Sequence, residues 1–309
     1  MASYQIPTRN DTCGVPEPGE CGRLGCCGVF SRVGIFAVHW ECWSNCNLTC
    51  DFCYRTISPR MTSADAVRLI DVVAFAGARQ IVFAGGDPSL RRDIGELCRY
   101  SKAKGLLIEL QTNGNIHSSA LLDAVDAVDS LALSIDSGDP DIHDAIRGCP
   151  GNFGRCFTLA SYALRRGTET RVRSIVTEDT ISSMAELAHR LVSCGVRQWD
   201  LQELSPVGRG TSTSQIRIPA SRIVELARSL SKLFPEIQVR INSALQKKGL
   251  YAMIRSDGGL YGTSGDLDED GYYPVQGNLM TDHVASVATA LPFCPRAHAI
   301  RYQRPAGVT

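Results

Sequence analysis

Cysteine is the residue type best placed for chemistry in this chain, and Cys46, Cys50 and Cys53 lie within eight positions. A tight loop can aim three such thiolates at one point, as in metal and iron–sulfur sites. Three thiolates do not complete a four-iron cluster, so one iron is left open to a small molecule. A structural zinc site is the rival reading, with Cys42 as fourth ligand, because such sites are four-coordinate. The C-x3-C-x2-C spacing directly after a strand pattern is more specific than a bare C-x2-C and favours the cluster.

Further polar motifs follow in order. Gly85-Gly86-Asp87-Pro88 combines backbone freedom with a carboxylate, which suits an ammonium group as well as a simple turn. Gln111-Thr112-Asn113-Gly114 carries an Asn-Gly turn signal. Ser134-Ile135-Asp136-Ser137 reads from its residues as the cap of the next helix. Arg171 and Arg173 share one face of a strand and can pair with a carboxylate. Gln202 to Gly208 includes Glu203 and Val207. His39, just before the cysteines, and Tyr54, just after them, are candidates for substrate contact along with Arg173 and Glu203.

The elements that must position these groups alternate. Strands are expected at 34–41, 80–84, 106–111, 131–135, 170–177, 197–203 and 237–241. Helices are expected at 63–78, 92–103, 118–128, 153–166, 182–194 and 219–233, the first capped by Ser63. At least six strand–helix units imply parallel strands with right-handed crossovers. Every polar motif falls just after a strand, the end at which parallel barrels build their sites. The fold class expected is α/β, a partial (βα)6 TIM-type barrel with irregular extensions. The divisions are a Cys- and Gly-rich extension at 1–32, the core at 33–243 and a capping extension at 244–309.

The chain has 309 residues, 44% of them apolar, and a formal net charge of zero. Neutrality gives no electrostatic case for nucleic acid or a membrane surface. No apolar run approaches the ~20 residues of a membrane span. Thirteen cysteines with no secretory signal point to metal or redox use in the cytoplasm rather than to disulfides.

The cysteine stretch resembles the signature of the radical S-adenosylmethionine (SAM) superfamily, C-x3-C-x-aromatic-C, with Phe52 as the aromatic residue. The resemblance covers residues 33–241, and the motif order agrees throughout. It implies that Cys46, Cys50 and Cys53 hold a 4Fe–4S cluster whose fourth iron is chelated by SAM. By the same resemblance Gly85, Gly86 and Asp87 hold the SAM amino end, with Asp87 in place of the commoner Glu. Asn113 lies near SAM and substrate. Ser134, Asp136 and Arg173 serve the carboxylate or ribose, and Val207 packs on the adenine. The implied reaction is one-electron cleavage of SAM to a 5′-deoxyadenosyl radical that abstracts hydrogen from a substrate, with the electron from flavodoxin or ferredoxin.

The cysteine-poor tail, with Cys294 alone after residue 243, resembles single-cluster enzymes of small-molecule biosynthesis. Cytosylglucuronate decarboxylases of nucleoside-antibiotic pathways are one such type. Peptide maturases, nucleotide dehydratases of the viperin kind and non-catalytic iron–sulfur or zinc proteins are the alternatives. Cys13, Cys21, Cys26 and Cys27 with Cys294 form a candidate auxiliary-cluster set, against a reading as free thiols.

Overall fold

The computed structural model describes residues 28–55, 57–242, 251–263 and 266–291. The candidate auxiliary set at Cys13, Cys21, Cys26, Cys27 and Cys294 lies outside them.

Alternation of apolar and polar residues builds the sheet. Its parallel strands are β1 (Ala37–Trp43), β2 (Gln80–Gly85), β3 (Leu107–Thr112), β4 (Ser130–Ser134), β5 (Glu169–Val176), β6 (Gln198–Glu203) and β7 (Gln238–Asn242). Three short strands follow: β8 (Ala252–Ile254), β9 (Gly259–Gly262) and β10 (Gly277–Asn278). The order across the sheet is β10-β9-β8-β1-β2-β3-β4-β5-β6-β7. β8 runs parallel to β1, whereas β9 and β10 are antiparallel additions. Among the described residues the sheet does not close, and β7 and β10 are its edges.

The outward positions of the strands are apolar. Trp40, Phe83, Leu110 and Leu133 are fully buried in one core, and Val172, Trp199 and Leu201 in a second. Each such side chain contributes roughly 1.5–3 kcal/mol by leaving water. The inward positions are largely polar. Glu109 meets Arg171 at 3.1 Å, and Asp200 meets Arg240 at 3.0 Å. The two arginines share Gln198. Burial alone would raise the Glu109 carboxyl, but Arg171 and Arg173 outweigh it and hold the group below its usual range.

Helices cover the outer face: α1 (Val29–Val33), α2 (Ser63–Phe75), α3 (Ile94–Ala103), α4 (Ser119–Ala127), α5 (Pro140–Arg147), α6 (Asn152–Arg165), α7 (Met184–Cys194), α8 (Ala220–Leu233) and α9 (Val284–Ala290). Among the described residues no helix is long and apolar enough to cross a membrane. Boundaries differ from the sequence expectation by a few residues. Among the strands the largest shift is at β1, because α1 occupies the preceding residues and ends at Gly34 in the left-handed conformation, φ 81°. Thr62, not Ser63, caps α2, accepting from the Asp65 amide at 3.1 Å. One helix, α5, was not expected between β4 and α6. The strands at 252–278 were not expected either, being too short for a periodic signal.

Candidate functional site

The cysteine loop leaves β1 and is gripped from two sides. Gly86 N donates to Trp43 O at 2.7 Å, and Asp87 N donates to Asn45 O at 2.8 Å. A Cβ on Gly86 would stand 2.1 Å from Asn45 O, and one on Gly85 would stand 2.5 Å from Trp43 O. Gly85 also holds φ 125°, which disfavours any side chain. The glycine pair is therefore fixed first by the approach of the cysteine loop. From the other side, Arg209 donates its amide to Cys53 O at 3.1 Å, and Ser214 binds Asp51 through both amide and hydroxyl.

Behind the loop runs a buried hydrogen-bond chain. The Asp87 carboxylate accepts from Ser89 N, Thr112 Oγ1 and Asn113 N, all at 2.8–3.0 Å. This ties the end of β2 to the end of β3. Asn113 Nδ2 donates to Asn47 Oδ1 at 2.8 Å and lies 3.5 Å from Cys46 Sγ. Asn113 O accepts from Asn152 Nδ2 at 3.1 Å, and Asn152 Oδ1 lies 2.9 Å from His143 Nε2. His143 Nδ1 accepts from the Asp136 amide at 3.1 Å. That acceptor role fixes the neutral tautomer with the proton on Nε2. Burial pushes the imidazole down, consistent with a neutral ring, although Asp136 opposes the shift.

Arg147 closes the arrangement from α5. Its Nη2 lies 2.6 Å from Asp136 Oδ2, its Nη1 lies 3.8 Å from Cys50 Sγ, and its guanidinium sits 5.4 Å from the Phe52 ring centroid. The other Asp136 oxygen accepts from Ile175 N at 2.9 Å. A cation is thus held against one thiol of the triad. Sequence reading passed over both Arg147 and His143. The available signal was Asp139-Pro140, since Asp139 caps α5 by accepting from Asp141 N and Ile142 N with Pro at the first turn.

The three cysteines open into one cavity of about 1600 Å³, a figure that includes its open mouth. Gly85, Gly86, Asn113, Ser134, Asp136 and Arg173 line it. So do Phe52 and Val207, and also the catalytic candidates His39, Tyr54 and Glu203. Asp87 lies behind the wall, 1% exposed, with its carboxylate engaged as above. Glu203 pairs with Arg217 at 3.2 Å. After reorientation of its amide, Gln202 accepts from both Nε and Nη2 of Arg173. His39 packs edge-on against Tyr251, ring centroids 4.7 Å apart. Tyr251 and Tyr261 of the aromatic wall had no sequence signal, because they depend on β8 pairing with β1 and β9. Tyr272 and Tyr273, in the segment expected to cap the barrel, line the same cavity.

The residues present suit a thiolate-bound cluster. Burial raises the Cys46 and Cys50 thiols, and Arg147 partly offsets this at Cys50. Ionised sulfur in so apolar a place calls for cationic partners. Asn47 Nδ2 is buried beside the loop with no hydrogen-bond partner. Cys42 is excluded as a fourth ligand. It points outward into the first core, where burial pushes its thiol up to about 12, while the triad belongs to a separate apolar cluster.

The Radical SAM superfamily profile matches residues 40–191. The AdoMet-dependent heme synthase of Nitratidesulfovibrio vulgaris is 30% identical over 196 residues, 61% of this chain and 53% of that protein. The PqqA peptide cyclase of Ruegeria pomeroyi is 25% identical over 212 residues, 66% of this chain and 56% of that protein. The chain therefore spans about half the length of these curated relatives. Streptococcus suis SuiB, in a crystal structure with its precursor peptide SuiA, shares the fold at a TM-score of 0.70 and 15% identity, over 90% of this chain and 70% of that one. With the profile falling on the cysteine loop and the strand ends that grip it, the chain carries a radical SAM domain, of the superfamily whose cofactors are a 4Fe–4S cluster and S-adenosylmethionine.

Proposed function

We propose that this chain is a radical SAM enzyme that takes hydrogen from a small biosynthetic substrate. The observation that carries the reading is that the cysteine loop, gripped by the ends of β2 and β3, opens into the same recess as the ends of β4, β5 and β6. Cys46, Cys50 and Cys53 would hold the cluster, which with SAM bound supplies one-electron reductive cleavage of SAM and hydrogen abstraction.

The chain's own groups position and enclose. Gly85 and Gly86 line the cavity, as does Asn113, and would receive the SAM amino end. Ser134 and Arg173 line the cavity and would meet the carboxylate or ribose. Asp136 acts through Arg147, which it holds beside Cys50. Val207 and Phe52 give apolar surface for a ring and keep water from the thiols. Asp87 keeps the β2 and β3 ends in register with the loop.

The core at 33–243 carries this machinery, with 1–32 and 244–309 as extensions. The setting is the cytoplasm, and a flavodoxin or ferredoxin supplies the electron. Decarboxylation of a sugar acid, as in nucleoside-antibiotic pathways, is the narrowest form of the small-molecule reading. A peptide substrate is the second reading, favoured by the similarity to PqqA peptide cyclase.

The test is anaerobic reconstitution with iron and sulfide, reduction by dithionite and addition of SAM. Formation of 5′-deoxyadenosine is expected. A fully loaded protein that forms none would sink the proposal. Iron counted in a Cys46/Cys50/Cys53 triple-alanine variant decides the second cluster: near zero is expected, and near four per chain would mean that another cluster exists.

A further inference from the structure

The cavity has two unlike arcs. The inner faces of β3 to β7 present Gln111, Ser134, Arg173, Gln202 and Asn242, a polar arc. Beyond β1 the inner face turns aromatic. Strand pairing aligns His39 with Met253 and Met253 with Tyr261, so these three share one side of the sheet. Tyr251 lies on that side two residues before Met253 and packs edge-on against His39. Alternate positions in the same strands, Val38, Trp40, Ala252, Ile254 and Leu260, point away into the outer core.

This wall is not part of either main core. Tyr251, Met253 and Tyr261 form an apolar cluster of their own, joined by Tyr273, and all four line the cavity. Tyr251 and Tyr261 are recessed, 7% and 4% exposed, and Tyr54 lines the same cavity. The Tyr251 hydroxyl is held by Asn242 Nδ2 at 2.7 Å, which fixes the ring. Rigid rings and a thioether facing an internal space offer stacking and edge contacts that a saturated ligand cannot match. The cysteine triad sits elsewhere in the same cavity, with Phe52 and Val207.

We propose, resting on the function above, that the compartment walled by His39, Tyr251, Met253, Tyr261 and Tyr273 receives the substrate, and that the substrate is a small molecule built on a planar π-bearing ring. The polar arc, Arg173 and Gln202 foremost, reads its heteroatom substituents. The recess of Tyr251 and Tyr261 suits a compact ring. An extended peptide would need main-chain partners, which the side chains of this wall do not supply.

The test is calorimetric binding to the anaerobically reconstituted protein with SAM present, using indole-3-acetate and cyclohexylacetate, which match in charge but differ in the ring. Indole-3-acetate is expected to bind at least tenfold more tightly. Tyr261→Leu is expected to lose that preference, and Tyr261→Phe to keep it, with SAM affinity unmoved in both. If Tyr261→Leu fails to load iron, Tyr273→Leu, at a half-buried position, serves for the same loss. Equal affinity for the two probes overturns the proposal. So does a preference that survives the leucine change, or failure of indole-3-acetate to bind while SAM binds. If SAM itself does not bind to loaded protein, the radical SAM reading fails, and this inference fails with it.

Discussion

Arg147 is the residue with the most leverage on the thiol triad. It brings a buried positive charge to 3.8 Å from Cys50 Sγ and is itself held by Asp136 at 2.6 Å. Charge and hydrogen bonds at cluster sulfurs set reduction potential. Removing the cation should make the reconstituted cluster harder to reduce. Arg147→Met is expected to lower the ratio of reduced to oxidised cluster about tenfold at fixed potential, a shift of about 59 mV for one electron, read by an electron paramagnetic resonance titration. Arg147→Lys should retain part of the effect, because the charge survives and the planar fork does not. An unmoved midpoint in Arg147→Met would refute the tuning role.

His143 makes a second prediction at this scale, on pH. Its ring is held below its ordinary value by burial and accepts the Asp136 amide in the neutral form. An unfolded histidine titrates near pH ~6.5, so below that the unfolded chain binds the extra proton and the fold does not. The stabilisation is complete above that pH and is lost as pH falls toward the lower folded value. Chemical denaturation of the cluster-free protein should show stability falling by up to ~1.4 kcal/mol per pH unit between pH 6.5 and 5.5. His143→Asn, which keeps an acceptor but cannot take up a proton, should flatten the slope. An unchanged slope in the variant would place the titration elsewhere.

Among the elements, the β2 end and the cysteine loop behave as one unit. The glycine pair was legible as a motif, but its first physical reason, contact with Trp43 O and Asn45 O, was not. Gly86→Ala places a Cβ 2.1 Å from a carbonyl oxygen, so the backbone must shift by more than a rotamer can absorb. Reconstituted Gly86→Ala is expected to hold less than half the wild-type iron while its far-ultraviolet circular dichroism is unchanged. Full iron loading would show the close approach to be dispensable. α5 shows why an element goes unread. Its eight residues are too few for a strong helical period, yet its Asp139-Pro140 start fixes the helix that carries both His143 and Arg147.

For the molecule as a whole, the open sheet leaves β1 in need of a neighbour, and β8 supplies it. Ile254 lies opposite Trp40 and is fully buried in the outer core. Ile254→Asp would bury an unpaired carboxylate there, at a cost of at least ~3 kcal/mol. The denaturant midpoint should fall accordingly. If it moves by less than the error of the measurement, β8 is not needed to cover β1.

The sequence alone determined the alternation of strand and helix, the parallel core and the order of the polar strand-end motifs. Each is local: a period of two or 3.6, a glycine, or a thiol spacing read over a few residues. The three cysteines and Phe52 were legible in this way, as were the positions that line the cavity from β2 to β6. Only the tertiary structure decided that Asp87 turns behind the wall to bind Thr112 and Asn113. It likewise decided that Cys42 faces outward, that Arg147 reaches Cys50, and that three short strands after residue 250 carry tyrosines into the cavity. Those facts rest on contacts between residues tens to hundreds of positions apart, and neither spacing nor periodicity encodes such contacts.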